Sequence, residues 1–453
     1  MFAKVARFLW GNMSEEELKK FSILSGAYFF LIGSYWLLRV MKDSVFSVLV
    51  DYRQQPFAKM VSLFVVIGVV LFYNKLVNIF KRNTLFYIIA LFFGVGFITL
   101  GYLISHPYLV SLPADSTFLS FIPGKILGWF IYCFIESFGS LMPALFLAIV
   151  ASSTTTESAK RGYGMMFCFA QLGSLVGTSF VAHYVKPLGF GILFAIGGIL
   201  ISMLPLFMKK YMKIAVFLDE DKSGKEQKSK TGILEGLKLI ATHPYIAGIL
   251  VVTVVYEVIS TIVEFQMGIC ATQIYPVALD GGAGFAWFKA LNGVYVAGLS
   301  LAFALLGTSF FMRKFGLKFC LIMFPAMIGI TIAILFGLYI FGASLNVLMW
   351  GFFAAVVVFK GLSYTLNNPS KEVIYIPTSK DVKFKAKSWI DGFGGRTSKT
   401  VGSTVTATLG GNLSTLIVVG SFISLGIVAF WIFVAAFVGN KFNELQKNNK
   451  IIE

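Results

Sequence analysis

Four groups of charged residues stand inside sequence that is otherwise strongly apolar. The first is Arg39, Lys42 and Asp43 in YWLLRVMKDSVFSVLV, where apolar character continues for seven residues past the last charge. Spacings of three and four put Arg39 on the same helical side as both others. The second is Glu136 in WFIYCFIESFGSLMPALFLAIV, with no cation within two turns of its own helix. The third is Glu257 and Glu264 in VVTVVYEVISTIVEFQMG, seven apart and so on one face. The fourth is KEVIYIPTSKDVKFKAKSWIDGFGGRTSK (371–399), where ten of 29 residues are charged and seven of those are Lys or Arg.

An ionisable group at mid-bilayer costs from about 2.5 to more than 10 kcal/mol, so it faces a bundle interior and marks a site by default. Arg presents a planar fork that fits phosphate oxygens, and Lys presents a mobile point charge. Several cations directed into one cavity imply a polyanion. An isolated carboxylate such as Glu136 needs a partner on another helix, a substrate or a proton. In the fourth group, KEVIYIPTSKD reads as a loop, because Pro377 bars a helix through it. From about Phe384 the spacing turns helical. Lys387, Asp391, Gly395, Lys399 and Gly402 share one face, and Arg396 reaches the same cleft.

The elements that must position these charges are membrane spans. Of 453 residues, 57% are hydrophobic and 13% are charged, against about 25% charged in a soluble domain. Runs of about 20 apolar residues, each able to cross a bilayer core, follow one another. The chain is expected to be an all-α membrane protein with twelve transmembrane helices. They are placed near 21–49, 57–74, 84–105, 119–151, 163–183, 188–208, 243–266, 286–311, 317–341, 344–368, 384–409 and 414–438. The start, MFAKVARFLWGNMSEEELKKF, is too short and too charged in its apolar run for a signal peptide.

Loops alternate in charge. One set carries Lys75, Lys81 and Arg82, then Lys160 and Arg161, the cluster from Lys209 to Lys230, then Arg313, Lys314 and Lys318, and then 371–387. The other set is nearly free of cations. This places both termini in the cytoplasm and accounts for most of the net charge of +17 without invoking nucleic acid. The polar segment 209–242 divides the chain into an N-terminal half, 1–208, and a C-terminal half, 243–453. Two six-helix halves are the plan of a major-facilitator-like transporter. The basic loop YNKLVNIFKRNTLFY is faintly echoed by SFFMRKFGLKF in the second half.

Enzyme chemistry finds no foothold. GFGGRTSKT lacks the Gly directly before Lys that a phosphate-binding loop requires, and no strand precedes it. Three His lie far apart, and four Cys are scattered singly in apolar segments, so no metal or cofactor is expected.

These residues also resemble a family, the ATP/ADP translocases (NTP/NDP nucleotide transporters) of obligate intracellular bacteria and plastids. LLRVMKDSVF is similar to the family's Leu-Arg-Asp-Thr-Lys-Asp, with Val40 and Met41 departing. FIESFGS matches at Glu136, Gly139 and Ser140. IVEFQMG matches at Glu264 but lacks the cation that follows it. The fourth group matches at Lys371, Glu372, Tyr375, Ile376, Pro377, Lys383, Lys385, Lys387, Ile390, Asp391, Lys399 and Gly402, with Ser398 and Val401 standing where the family has Gly. The resemblance implies a nucleotide transporter in which Lys42, Glu136, Glu264 and one of Lys385, Lys387 or Lys399 matter for transport.

Together the residues and the resemblance define the expected substrate-binding set: Arg39, Lys42, Glu136, Glu264, Lys385, Lys387, Asp391, Arg396 and Lys399. Asp43, Glu257 and Lys383 are secondary candidates. The expected activity is exchange of ATP for ADP by alternating access, with phosphates held by cations in a central cavity. The expected setting is a monomer in a lipid bilayer, the inner membrane of a bacterium. The alternatives are a proton-coupled carrier of other nucleotides or another organic anion, for which Glu136 would be the relay, and a non-transporting membrane receptor.

Overall fold

The computed structural model describes residues 14–106, 123–215, 233–306, 315–379, 382, 386–387, 389–390, 394–448 and 451. Their regular elements are helices. In chain order they are α1 (Glu15–Leu49), α2 (Gln55–Ile79), α3 (Arg82–Ser105), α4 (Ile126–Ser152), α5 (Thr156–Ser202), α6 (Leu204–Met212), α7 (Ile233–Thr242) and α8 (Pro244–Ile274). Then follow α9 (Val277–Asp280), α10 (Ala283–Leu306), α11 (Leu317–Ile340), α12 (Leu345–Leu362), α13 (Asn368–Val373), α14 (Gly395–Leu409) and α15 (Leu413–Lys447). Lys380, Lys383, Lys385, Asp391, the Arg313–Lys314 pair and residues 216–232 of the polar linker lie outside the described residues.

Local sequence explains where the helices begin and bend. Ser14 and Glu17 close a reciprocal capping box at the start of α1, with Glu15, Glu16 and Glu17 in its positive-dipole first turn. At about 1.5 Å per residue, the 35 residues of α1 exceed a ~30 Å hydrocarbon core. The 47-residue α5 is two arms joined at Gly189, whose φ of 70° and ψ of 173° are not helical, two residues after Pro187. Only glycine takes that backbone conformation cheaply. The expected spans 163–183 and 188–208 fall on these two arms.

Nine helical runs among the described residues are long and apolar enough to cross a membrane, and the run Gly162–Met212 contains both arms of α5. The expected spans at 286–311 and 384–409 fall on α10 and α14, which are outside those nine. The all-α membrane architecture is thus established, while the count of twelve remains an expectation of the sequence.

Contacts divide the chain into two units. The first is Met1–Asp221 with Tyr275–Leu301, and the second is Lys222–Ile274 with Ala302–Glu453. In the first, α1 packs along α5 and α4, and α3 packs along α5. Its core is rich in stacked and edge-on aromatics, among them Phe93, Phe97, Phe134 and Phe138 on α3 and α4. Helix α10 joins this unit. Ala286 and Ala290 enter its core, and a Cβ on Gly293 would meet Thr178 Cγ2 at 2.7 Å. In the second unit, α8 packs along α12, α14 and α15, and α11 packs along α15. Phe324 and Trp431 meet edge-on there, with ring centroids 5.5 Å apart.

Lipid is as apolar as a leucine side chain, so burial does not drive helices together and close approach must. Small residues provide it. A Cβ on Gly173 would meet Phe29 O, and one on Gly177 would meet Gly33 O, each at 2.3 Å. This small-xxx-small stripe sets α5 directly on the backbone of α1. Large apolar residues such as Phe64, Phe92 and Phe433 remain uncovered, as lipid-facing positions should.

Candidate functional site

Helix α1 places Lys42 and Asp43 on consecutive residues, about 100° apart around the axis, so they meet different neighbours. Lys42 Nζ donates to Glu136 Oε1 on α4. The same ammonium lies 4.1 Å from the centroid of the Tyr132 ring, one turn before Glu136 on the same face of α4. Lysine is thus held by a carboxylate and an aromatic face together. Its side chain is 7% exposed and that of Glu136 32%. Tyr132 is fully buried and accepts a hydrogen bond from Gln55 Nε2 at 3.4 Å.

Asp43 turns the other way. Lys289 Nζ on α10 lies 2.8 Å from Asp43 Oδ2, and Asp43 Oδ1 is buried without a hydrogen bond. Arg39, one turn earlier on α1, donates to Tyr35 Oη at 2.8 Å. Its guanidinium lies 5.0 Å from the Trp36 ring and 5.6 Å from the Tyr35 ring. A Cβ on Gly139 would meet that Tyr35 ring at 2.2 Å, so Gly139 is what lets the ring lie on α4.

The second unit has its own pairs. Glu264 on α8 meets Lys360 on α12 at 2.8 Å, and Ser260, one turn earlier, donates to Glu264 Oε1 at 3.2 Å. Glu257, two turns before Glu264, meets Lys399 on α14 at 3.5 Å. A Cβ on Gly402 would meet Val258 O at 2.8 Å, so α14 rests on α8 and carries Lys399 over Glu257. Lys371 Nζ donates to Thr253 O at 2.9 Å.

Lys387, expected to face the same cleft as Lys399, donates instead to Glu372 at 2.6 Å. Glu372 is 67% exposed. Lys387 also lies 5.3 Å from the Tyr375 ring. Arg396 is half-buried and makes no ion pair among the described residues. Lys383, Lys385 and Asp391 lie outside those residues.

Two partners escaped the sequence reading, Lys289 and Lys360. The rule that found Glu136 applies equally to them. FAWFKALNGVY and VVVFKGLSY each hold one cation in apolar sequence. A lysine near the end of an apolar run is easily discounted as snorkelling, and only its carboxylate partner on another helix distinguishes the two cases.

Within each unit, the described intramembrane carboxylates are thus each met by a lysine from a different helix. No three His, Cys, Asp or Glu side chains gather as metal ligands among the described residues. A lysine held this way can exchange one anionic oxygen for another, from carboxylate to a phosphate, at small net change in charge pairing. That is binding chemistry.

The family model described as TLC ATP/ADP transporter matches residues 1–442. The chain belongs to that family. It is 25% identical over 451 residues to ADP,ATP carrier protein 1 of Rickettsia prowazekii, covering 90% of this chain and 88% of that one. It is 24% identical over 481 residues to the chloroplastic ADP,ATP carrier protein 1 of Arabidopsis thaliana, covering 96% and 76%. Among solved structures, a bacterial homologue of the iron transporter ferroportin in its inward-facing state superposes with a TM-score of 0.62 at 13% identity, over 94% of this chain and all of that one. The nucleoside transporter NupG superposes with a TM-score of 0.58 at 12% identity, over 93% and 99%. These two show the fold, which is that of the major-facilitator transporters. A TLC-family member is a membrane carrier and not an enzyme, and the family is one of nucleotide exchangers.

Proposed function

We propose that this carrier exchanges ATP for ADP by alternating access, and that its lysines bind the nucleotide phosphates in place of their resting carboxylates. The observation that carries the reading is the Lys42–Glu136 pair. It joins, across two helices, a cation and an anion that the sequence singles out separately. Charge-assisted hydrogen bonds are worth about 1.5–3 kcal/mol each, so phosphate oxygens and Glu136 compete for Lys42 on comparable terms. Lys399, on the half-exposed side of its pair with Glu257, is the corresponding candidate on α14, with Arg396 one turn before it. Arg39, steadied by Tyr35 and Trp36, supplies a guanidinium on α1. The names of the curated relatives support ATP and ADP as the pair exchanged.

The proton-coupled reading rested on a Glu136 with no counter-charge. The pairing of Glu136 with Lys42 supports the exchange reading over it. The alternation of loop charge supports an inner-membrane setting with both termini in the cytoplasm. Uptake of labelled ATP into reconstituted vesicles tests the proposal. Lys42→Gln and Lys399→Gln should each cut it at least tenfold, the equivalent of about 1.4 kcal/mol. Undiminished uptake in both variants would contradict it.

A further inference from the structure

In the first unit, the Lys42–Glu136 pair joins α1 to α4, the first and fourth long helices of the chain. In the second unit, the Lys360–Glu264 pair joins α12 to α8. Counted from the linker, α8, α10, α11 and α12 are the first to fourth long helices, so the same two positions are joined again. The polarity is reversed: lysine stands on the first helix in one case and on the fourth in the other. Repeated halves build their sites from corresponding positions.

We infer that Lys360 is a further phosphate-binding lysine, matched in position to Lys42, and not merely the counter-charge of Glu264. The inference rests on the exchange reading above. Three observations carry it beyond the repeat itself. First, the Lys360 and Glu264 side chains keep 20% and 22% of their surface open, whereas the Lys289–Asp43 pair is sealed at 11% and 12%. In the Lys42–Glu136 pair the opening lies on the carboxylate, at 32%; here lysine and carboxylate share it. Second, Ser260 Oγ donates to the oxygen of Glu264 that Lys360 holds. When Lys360 turns to a phosphate, Glu264 keeps a donor and avoids the full cost of a stripped carboxylate. Third, the helix changes hydrogen-bond register just after Lys360. Ser363–Asn367 is a π-helical turn ahead of Pro369, which has no N–H to donate. Such turns let a helix adjust locally, and they recur at functional sites.

The test separates a ligand from a counter-charge. Vesicles carrying wild type, Lys360→Gln, Glu264→Gln, the double variant and Lys42→Gln are compared for the apparent KM of ATP and ADP uptake. A counter-charge is dispensable once its carboxylate is gone, and a phosphate ligand is not. The double variant leaves no stripped charge behind, so it stays informative where Lys360→Gln alone fails to fold. The expected result is a KM raised about tenfold or more in Lys360→Gln and raised equally in the double variant. Recovery of wild-type KM in the double variant would overturn the inference, as would an unchanged KM in Lys360→Gln. Lys42→Gln keeps the two claims apart. If it leaves KM unchanged, the exchange reading itself fails. If it raises KM while the double variant does not, the inference about Lys360 fails alone.

Discussion

Lys289 Nζ lies 2.8 Å from Asp43 Oδ2, and the two side chains keep only 11% and 12% of their surface exposed. The pair fastens α10 to α1 beside the lysine that holds Glu136. It also answers an electrostatic problem. Asp43 adjoins Lys42 in sequence, and without Lys289 it would compete with Glu136 and with substrate for that cation.

Removing one member of a buried pair costs about 3–5 kcal/mol, because the other charge stays buried, while removing both costs far less. Lys289→Gln should therefore lower the thermal unfolding temperature of the detergent-solubilised carrier markedly. The double variant Lys289→Gln with Asp43→Asn should recover most of the loss. A single variant as stable as wild type would show that the pair is not sealed in the folded carrier.

Glu136 competes with phosphate for Lys42, so neutralising it removes the competitor. Glu136→Gln is expected to lower the apparent KM for ATP several-fold and to lower the maximal rate as well, since phosphate is released less readily from an uncontested lysine. The scale follows from one charge-assisted bond of about 1.5–3 kcal/mol. Saturation curves of uptake measure both parameters, and a raised KM would assign Glu136 a direct part in holding nucleotide.

Lys387 and Glu372 make a contrasting case. Their bond is short, 2.6 Å, but Glu372 is two-thirds exposed. Such pairs contribute about 0–1 kcal/mol. Glu372→Gln should leave the unfolding temperature essentially unchanged and the ATP KM within about fivefold of wild type, the equivalent of about 1 kcal/mol. A large loss of uptake would place Glu372 in the site after all.

Gly177 is where α5 rests on the backbone of α1, and a Cβ there would come within 2.3 Å of Gly33 O. The clash is with backbone, so the helices must separate. Gly177→Ala should lower the unfolding temperature, at a cost of about 1–3 kcal/mol for overpacking. Gly298 lies on α10 with nothing within 4 Å of its added Cβ. Alanine there should be neutral or slightly stabilising, since a mid-helix glycine costs about 0.5–1 kcal/mol. Thermal unfolding of the two variants side by side checks the contrast.

The membrane architecture was legible because apolar run length and loop charge answer to the bilayer alone. The family was legible because the charges around Lys42, Glu136, Glu264 and Lys399 stand out in apolar sequence. What a linear reading misses is pairing across helices. Glu136 and Lys42 are 94 residues apart, and only packing shows that they meet. Lys387 and Lys399 share a helical periodicity, yet one pairs with an exposed glutamate and the other with Glu257. Lys289 was missed for a related reason. Its sequence position belongs to the second half, while its contacts belong to the first unit.

Counter-exchange tests the central claim most directly. Vesicles containing the purified carrier are preloaded with unlabelled ADP or left empty, and uptake of labelled ATP is followed with no proton gradient. If lysines bind phosphate in place of their carboxylates and the loaded carrier is the form that turns over, preloaded vesicles should take up ATP at least about tenfold faster than empty ones, a difference of about 1.4 kcal/mol in barrier. Equal uptake into empty and preloaded vesicles, or uptake that appears only when a proton gradient is imposed, would contradict it.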